Sequence, residues 1–198
     1  MRGFFCSCAV RVYNWSFTGG FAVSTDSAAS IQAPLLLLEK TPILVETMLR
    51  DLPGDVLQWK PAADRWSISE VLAHLVHAEL VFCGRVRRFV AEESPALEVF
   101  EQPDPAGPKA YSRGAAGEHL AEFAGARRAA VALLRSLPGF AGARTAQHSA
   151  IGHITLSQMM NEWASHDLGH LRQIAELYRA RVFYPHAGPF QKYSNPKP

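Results

Sequence analysis

Apolar residues recur at helical spacing in four stretches of the chain, and the connections between them are rich in proline and glycine. The first stretch, near Leu36 to Leu52, places Leu37, Leu44, Val45, Met48 and Leu52 on one side, with Pro42 tolerable only near a helix start or as a break. The second opens with Ser67-Ile68-Ser69-Glu70, a capping box, and then carries Val71, Leu75, Ala78, Phe82, Val86 and Phe89 at intervals of three and four. It is expected to run to about Glu93, ahead of Pro95. The third, near Arg113 to Leu137, presents Leu120, Phe123, Ala130, Leu133, Leu134 and Leu137 on one side and stops at Pro138-Gly139. The fourth opens with a second capping box, Thr155-Leu156-Ser157-Gln158, and turns Met159, Met160, Trp163, Leu171, Ile174 and Tyr178 inward. No convincing strand pair interrupts these stretches, so the pattern predicts an all-α protein, a four-helix bundle.

The connections carry topology. Ser94 to Ser112 can span at most ~65 Å, whereas the second helix is only ~40 Å long. That length predicts a long crossover connection between helices 2 and 3, which then run parallel. Its prolines, Pro95, Pro103, Pro105 and Pro108, suit an ordered surface loop able to roof a site. Residues 1–33 carry only Arg2, Arg11 and Asp26 as charges and show neither helical nor alternating periodicity, so they read as a disordered, dispensable N-terminal extension. Met1-Arg2 ahead of Phe4-Phe5 hints at a secretory signal, but Cys6, Ser7, Arg11, Asn14 and Ser16 break any apolar core at once. The bundle is expected over 34–182, with 183–198 as a C-terminal tail.

Composition removes several functions. At 198 residues and 48% hydrophobic, the chain can bury a real core. No apolar run approaches the ~20 residues of a membrane helix. A net charge of +2 is too balanced for the phosphate neutralisation behind nucleic-acid affinity. Cys6, Cys8 and Cys83 have no CxxC spacing, which argues against a disulfide framework or a cysteine zinc knuckle and makes a reducing cytoplasm the expected setting. Cys83 is expected to pack in or beside the core as a small hydrophobe.

Eight histidines remain to be explained. On the fourth helix His166 and His170 are four residues apart, so both imidazoles lie on one face and can address one ion. At about 100° per residue, His170 falls near the middle of the apolar arc and His166 at its margin. HxxxH alone is a weak pattern that two unrelated core or boundary histidines also produce, but for two inward imidazoles at ligand spacing a metal is the more economical explanation. A third ligand has to come from another helix. His74 lies about 90° from the centre of the apolar arc of helix 2 and His77 about 150° away, which favours His74 and leaves His77 as a surface residue, an auxiliary base or an alternate ligand. His119, His148, His153 and His186 lack a partner at ligand spacing and read as loop or surface residues. Asp167 falls near the centre of the inward arc, where an unpaired carboxylate would cost several kcal/mol, so it needs a cation. Arg127, inside the inward arc of helix 3, is the candidate for a structural ion pair. Glu162, one turn before His166, is either a surface glutamate or a base or fourth ligand.

Trp66-Ser67-Ile68 with Glu70-Val71-Leu72-Ala73-His74-Leu75 and Glu79, followed by His166-Asp167-Leu168-Gly169-His170-Leu171-Arg172-Gln173-Ile174, resembles the DinB-like superfamily of metal-binding four-helix bundles. The resemblance covers roughly residues 36–180. It implies a three-histidine metal site at His74, His166 and His170, a divalent ion, often zinc or nickel, and frequent homodimers. The family is also similar in fold to thiol-dependent S-transferases and isomerases.

Three functional readings follow. Three histidines leave an open coordination position, where a divalent metal ion brings the ionisation of water toward ~pH 7 or holds a thiolate. In the first reading a low-molecular-weight thiol cosubstrate attacks an electrophile in an S-transferase reaction, with no protein cysteine as nucleophile. In the second, a hydrolase, water attacks a small-molecule substrate with His77 or Glu162 accepting the proton. In the third the bundle is a non-catalytic dimer and the metal is structural.

Overall fold

The computed structural model describes residues 30–103, 111 and 115–198; the expected extension therefore lies almost wholly outside the described residues. Four long helices form the bundle: α1 (Gln32–Leu49), α3 (Ile68–Ala91), α4 (Ala116–Arg135) and α5 (Leu156–Tyr178), with a single-turn α2 (Gly54–Leu57) after the first. Both capping boxes form. Ser67 Oγ accepts from the Glu70 amide at 3.2 Å while the Glu70 carboxylate accepts from the Ser67 amide at 2.8 Å, and Thr155 and Gln158 repeat the exchange at 3.1 and 2.8 Å. Each pair satisfies donors that a helix start otherwise leaves open.

Two buried clusters fix the direction of every helix. One joins Leu35 and Leu38 at the start of α1 and Leu156, Met160 and Trp163 at the start of α5 to Phe89 and Leu134, near the ends of α3 and α4. The other joins Leu49 and Leu177, at the ends of α1 and α5, to Val71 and Phe123, early in α3 and α4. Hence α3 and α4 run parallel, antiparallel to α1 and α5. The connection between α3 and α4 must travel back along the bundle, as its length predicts.

Two sequence expectations are corrected here. α1 begins earlier and ends at Leu49, before Asp51, which takes a left-handed backbone (φ 62°). It buries Leu35, Leu38, Thr41, Val45 and Leu49, whereas Leu44, expected inward, is exposed beside Ile43. Runs of four leucines (Leu35 to Leu38) and of Ile43-Leu44-Val45 let a rotated face satisfy the same periodicity. Pro42 sits inside the helix rather than ending it. Proline has no N–H for the Leu38 carbonyl, and Arg127 Nη1 donates to that oxygen instead, at 2.9 Å.

The second correction is a small sheet, ordered β1-β2-β3, made of β1 (Ala96–Leu97), β2 (Thr145–His148) and β3 (Gly152–Thr155). β1 pairs parallel to β2, and β2 pairs antiparallel to β3 with Ala146 opposite Ile154. Strands of two to four residues are too short to show alternation. Gly152, at φ 77°, turns the hairpin where a side chain would be strained. The sheet anchors the start of the long connection against the hairpin that feeds α5. No helix among the described residues is long and apolar enough to cross a membrane.

Candidate metal centre

His74, from the second turn of α3, meets His166 and His170, from the middle of α5. Their ligand-capable nitrogens all lie within 4.8 Å of one another. His166 Nε2 is 3.0 Å from His74 Nε2 and 3.2 Å from His170 Nε2. The i, i+4 spacing aligns the α5 pair, and the capping boxes fix where each helix starts, which sets the rotation of its faces.

The outer nitrogens orient these rings. His170 Nδ1 is 2.9 Å from Gln173 Oε1, an acceptor only, so Nδ1 carries the proton and Nε2 presents a lone pair. His74 Nδ1 is 3.0 Å from the Tyr111 hydroxyl, which also lies 3.0 Å from His77 Nδ1. A hydroxyl can accept from one ring and donate to the other, so a chain runs from His74 through Tyr111 to exposed His77. His166 Nδ1 is buried without a partner among the described residues. Trp66 packs on His74 with ring centroids 4.9 Å apart, and Phe100 stacks with it at 5.9 Å.

Electrostatics keeps the cluster uncharged. Burial, reinforced by the neighbouring imidazoles, takes His74 down to about 2. Burial and His170 take His166 down to about 4. His170 is also lowered by burial, against opposing contributions from Gln173 and Asp167. Burial pushes Tyr111 up to about 12, keeping its proton on the hydroxyl. Three neutral imidazoles aimed at one point hold at most one Nε2–H among them, that of His166, once the His74 and His170 protons sit on Nδ1, so hydrogen bonding alone serves these nitrogens poorly. They fit a borderline cation, which needs unprotonated nitrogen donors.

A second polar cluster lies one residue away on α5. Arg127 Nη1 and Nη2 donate to the two oxygens of Asp167 at 2.6 and 3.1 Å, and Nε donates to Glu79 at 2.9 Å. The structure thus places Arg127 against Asp167, with Glu79 as a further partner that residue-by-residue reasoning left without a role. Burial opposes the Arg127 charge, but Asp167 and Glu79 together raise its pKa. The Arg127 guanidinium also lies over the Phe123 ring at 4.8 Å and the Trp163 ring at 5.3 Å.

The remaining candidates are dispersed. Glu162 is exposed but lines a cavity with His166. His148 and His153 lie on β2 and β3 at that cavity, and His186 is exposed. His119 sits half-buried on α4, and its Nε2 has no partner among the described residues. Cys83 joins the core, and burial raises its thiol pKa. Tyr111 escaped sequence reasoning, because nothing in a proline-rich connection marks one tyrosine as reaching a helix two strides away.

Two cavities meet at His166. One, of about 620 Å³, is walled by Phe82, Phe100, Ile154 and Met159; the other, of about 340 Å³, is polar and lined by His170, Arg65, Arg172 and Gln173.

The sequence pattern of the DinB superfamily matches residues 37–174. Among solved structures, the fold is similar to YfiT from Bacillus subtilis, described as a probable metal-dependent hydrolase with an unusual four-helix bundle topology. The match has 20% identity and a TM-score of 0.66, and covers 79% of this chain and 90% of that one. No curated protein sequence matches the chain. The helical bundle, its parallel α3 and α4, the three-histidine cluster and the matched span agree: this chain belongs to the DinB superfamily.

Proposed function

We propose that this protein is a metal-dependent enzyme that hydrolyses a small-molecule substrate, with His74, His166 and His170 holding a divalent ion. The observation that carries the reading is the convergence of three neutral Nε2 atoms, 3.0 and 3.2 Å apart across His166, at the meeting point of two cavities. Imidazole donors suit zinc or nickel. When bound, such an ion supplies Lewis acidity, polarising an electrophile and bringing the ionisation of water or a thiol toward neutral pH. Three protein ligands, rather than the four usual for structural zinc, leave room for that chemistry.

The chain's own residues do the rest. Tyr111 and Gln173 hold His74 and His170 with Nε2 inward. Trp66 and Phe100 pack against the buried His74 ring and keep bulk water off it. Glu162, in the larger cavity with His166, is the carboxylate placed to take a proton from the attacking nucleophile. His77 Nδ1 is the alternative acceptor, reached through the Tyr111 hydroxyl. The two-cavity layout favours a second reading, in which a low-molecular-weight thiol occupies the basic cavity and attacks an electrophile in the apolar one.

Metal analysis by mass spectrometry, paired with turnover of an ester and amide panel, tests the proposal. Wild type should hold one divalent ion per chain and hydrolyse in proportion to occupancy, and His170→Ala should lose both. Occupancy without turnover, together with a spectral change of the cobalt-substituted protein on adding thiols, would favour the transferase. Chelation that unfolds the chain would make the ion structural.

A further inference from the structure

The larger cavity has a wall that the metal chemistry does not account for. Its apolar side, built by Phe82, Phe100, Ile151, Ile154 and Met159, is interrupted by Arg85, half-buried on α3. The buried or half-buried cations elsewhere are committed: Arg127 to Glu79 and Asp167, and Lys60 to Glu70 at 3.1 Å. Arg144, which has no carboxylate, closes the end of α3 by donating from two nitrogens to the Phe89 and Glu92 carbonyls. Arg85 instead makes one hydrogen bond, from Nη2 to the Glu98 carbonyl, and no ion pair among the described residues. Burial works against its charge. Glu162 lines the same cavity without pairing with it. A half-buried guanidinium left with a single carbonyl and facing an apolar pocket has unused donors in the fork geometry that carboxylates fit.

We propose that this cavity is the substrate pocket and that it takes a carboxylate-bearing molecule with an apolar body, the carboxylate held by Arg85 and the body packed against Phe82, Phe100 and Ile154. The volume, about 620 Å³, lies in the range of small-molecule sites. His166 lines the same cavity, so a substrate held there lies beside one of the three candidate metal ligands. The smaller cavity offers cations but little apolar wall, and its Glu176 is already engaged by Arg179 at 2.6 Å. The identification of the pocket with substrate rests on the hydrolase reading; the binding preference does not.

The test is calorimetric titration of metal-free protein, in which no carboxylate can ligate an ion, with 3-phenylpropionate and its neutral isostere 3-phenylpropanol. Wild type should bind the acid about tenfold or more tightly than the alcohol, the scale of one charged hydrogen-bonded contact. Arg85→Gln should abolish that preference while leaving the alcohol unchanged, and Arg85→Lys should keep part of it. Ile154→Trp, which fills the cavity, should weaken both ligands, and Arg172→Gln should affect neither. Equal affinities in wild type, no binding of either ligand, a preference that survives Arg85→Gln, or one lost in Arg172→Gln would overturn the proposal. Because the ion is absent, a protein that binds the acid but hydrolyses nothing when loaded would count against the hydrolase reading alone.

Discussion

Two polar clusters share the middle of this bundle, separated by one residue on α5, and they obey opposite rules. Around Arg127 every strong group is matched: Asp167 and Glu79 take the guanidinium, and Nη1, which also binds Asp167, repairs the carbonyl that Pro42 orphans on α1. All three charged side chains are at most 2% exposed. Around His166 the groups are poorly matched: three Nε2 atoms share at most one proton, Nδ1 has no partner among the described residues, and two cavities open alongside. A saturated cluster stiffens and aligns four helices, and nothing can be added to it. An unsaturated one, kept neutral by burial, is completed only by a ligand.

Removing the centre of the saturated cluster should do the most damage. Arg127→Met leaves two buried carboxylates without their cation and the Leu38 carbonyl without its donor, so urea unfolding should show a loss of about 3–5 kcal/mol or no folded protein. Combining it with Glu79→Gln and Asp167→Asn should recover part of that loss. His170→Ala should act in reverse: metal affinity falls by more than about 100-fold, beyond what outer partners control, while metal-free stability changes by about 1 kcal/mol or less. Equal losses of stability from the two variants would erase the contrast between the clusters.

Tyr111→Phe removes the acceptor at His74 Nδ1 without touching the ligating atom. Metal titration should show about a tenfold loss of affinity, the low end for such orienting partners. The smallest effect is on pH dependence. His166 and His74, at about 4 and about 2 when folded, both sit below the ordinary histidine value of 6.5. The unfolded chain therefore binds protons that the folded one refuses, and metal-free stability, complete above pH 6.5, declines as pH falls toward 4. Melting curves of chelated protein at several pH values should show this slope, and His74→Ala/His166→Ala should flatten it.

Much of this was legible in sequence because it depends on spacing. Capping boxes located α3 and α5, and the i, i+4 pair with a flanking His74 required only helix rotation. Arg127 and Asp167 were drawn together by the cost of burying either alone. The remainder depends on contacts between distant segments. Four consecutive leucines made the face of α1 ambiguous, and the short strands of the sheet carry no period. Tyr111 reaches His74 and His77 only because α3 and α4 run parallel and the chain between them must return. Glu79 lies on the same face of α3 as Phe82, and only the arrival of Arg127 from α4 explains a carboxylate there.

The most direct test of the account is calorimetric titration of chelator-treated protein with zinc, for wild type and His166→Ala. Wild type should take up one ion per chain with its helical circular dichroism unchanged, and the variant, equally helical, should take up none. Zinc binding that persists in His166→Ala, or no binding by wild type, would contradict a metal centre built from His74, His166 and His170.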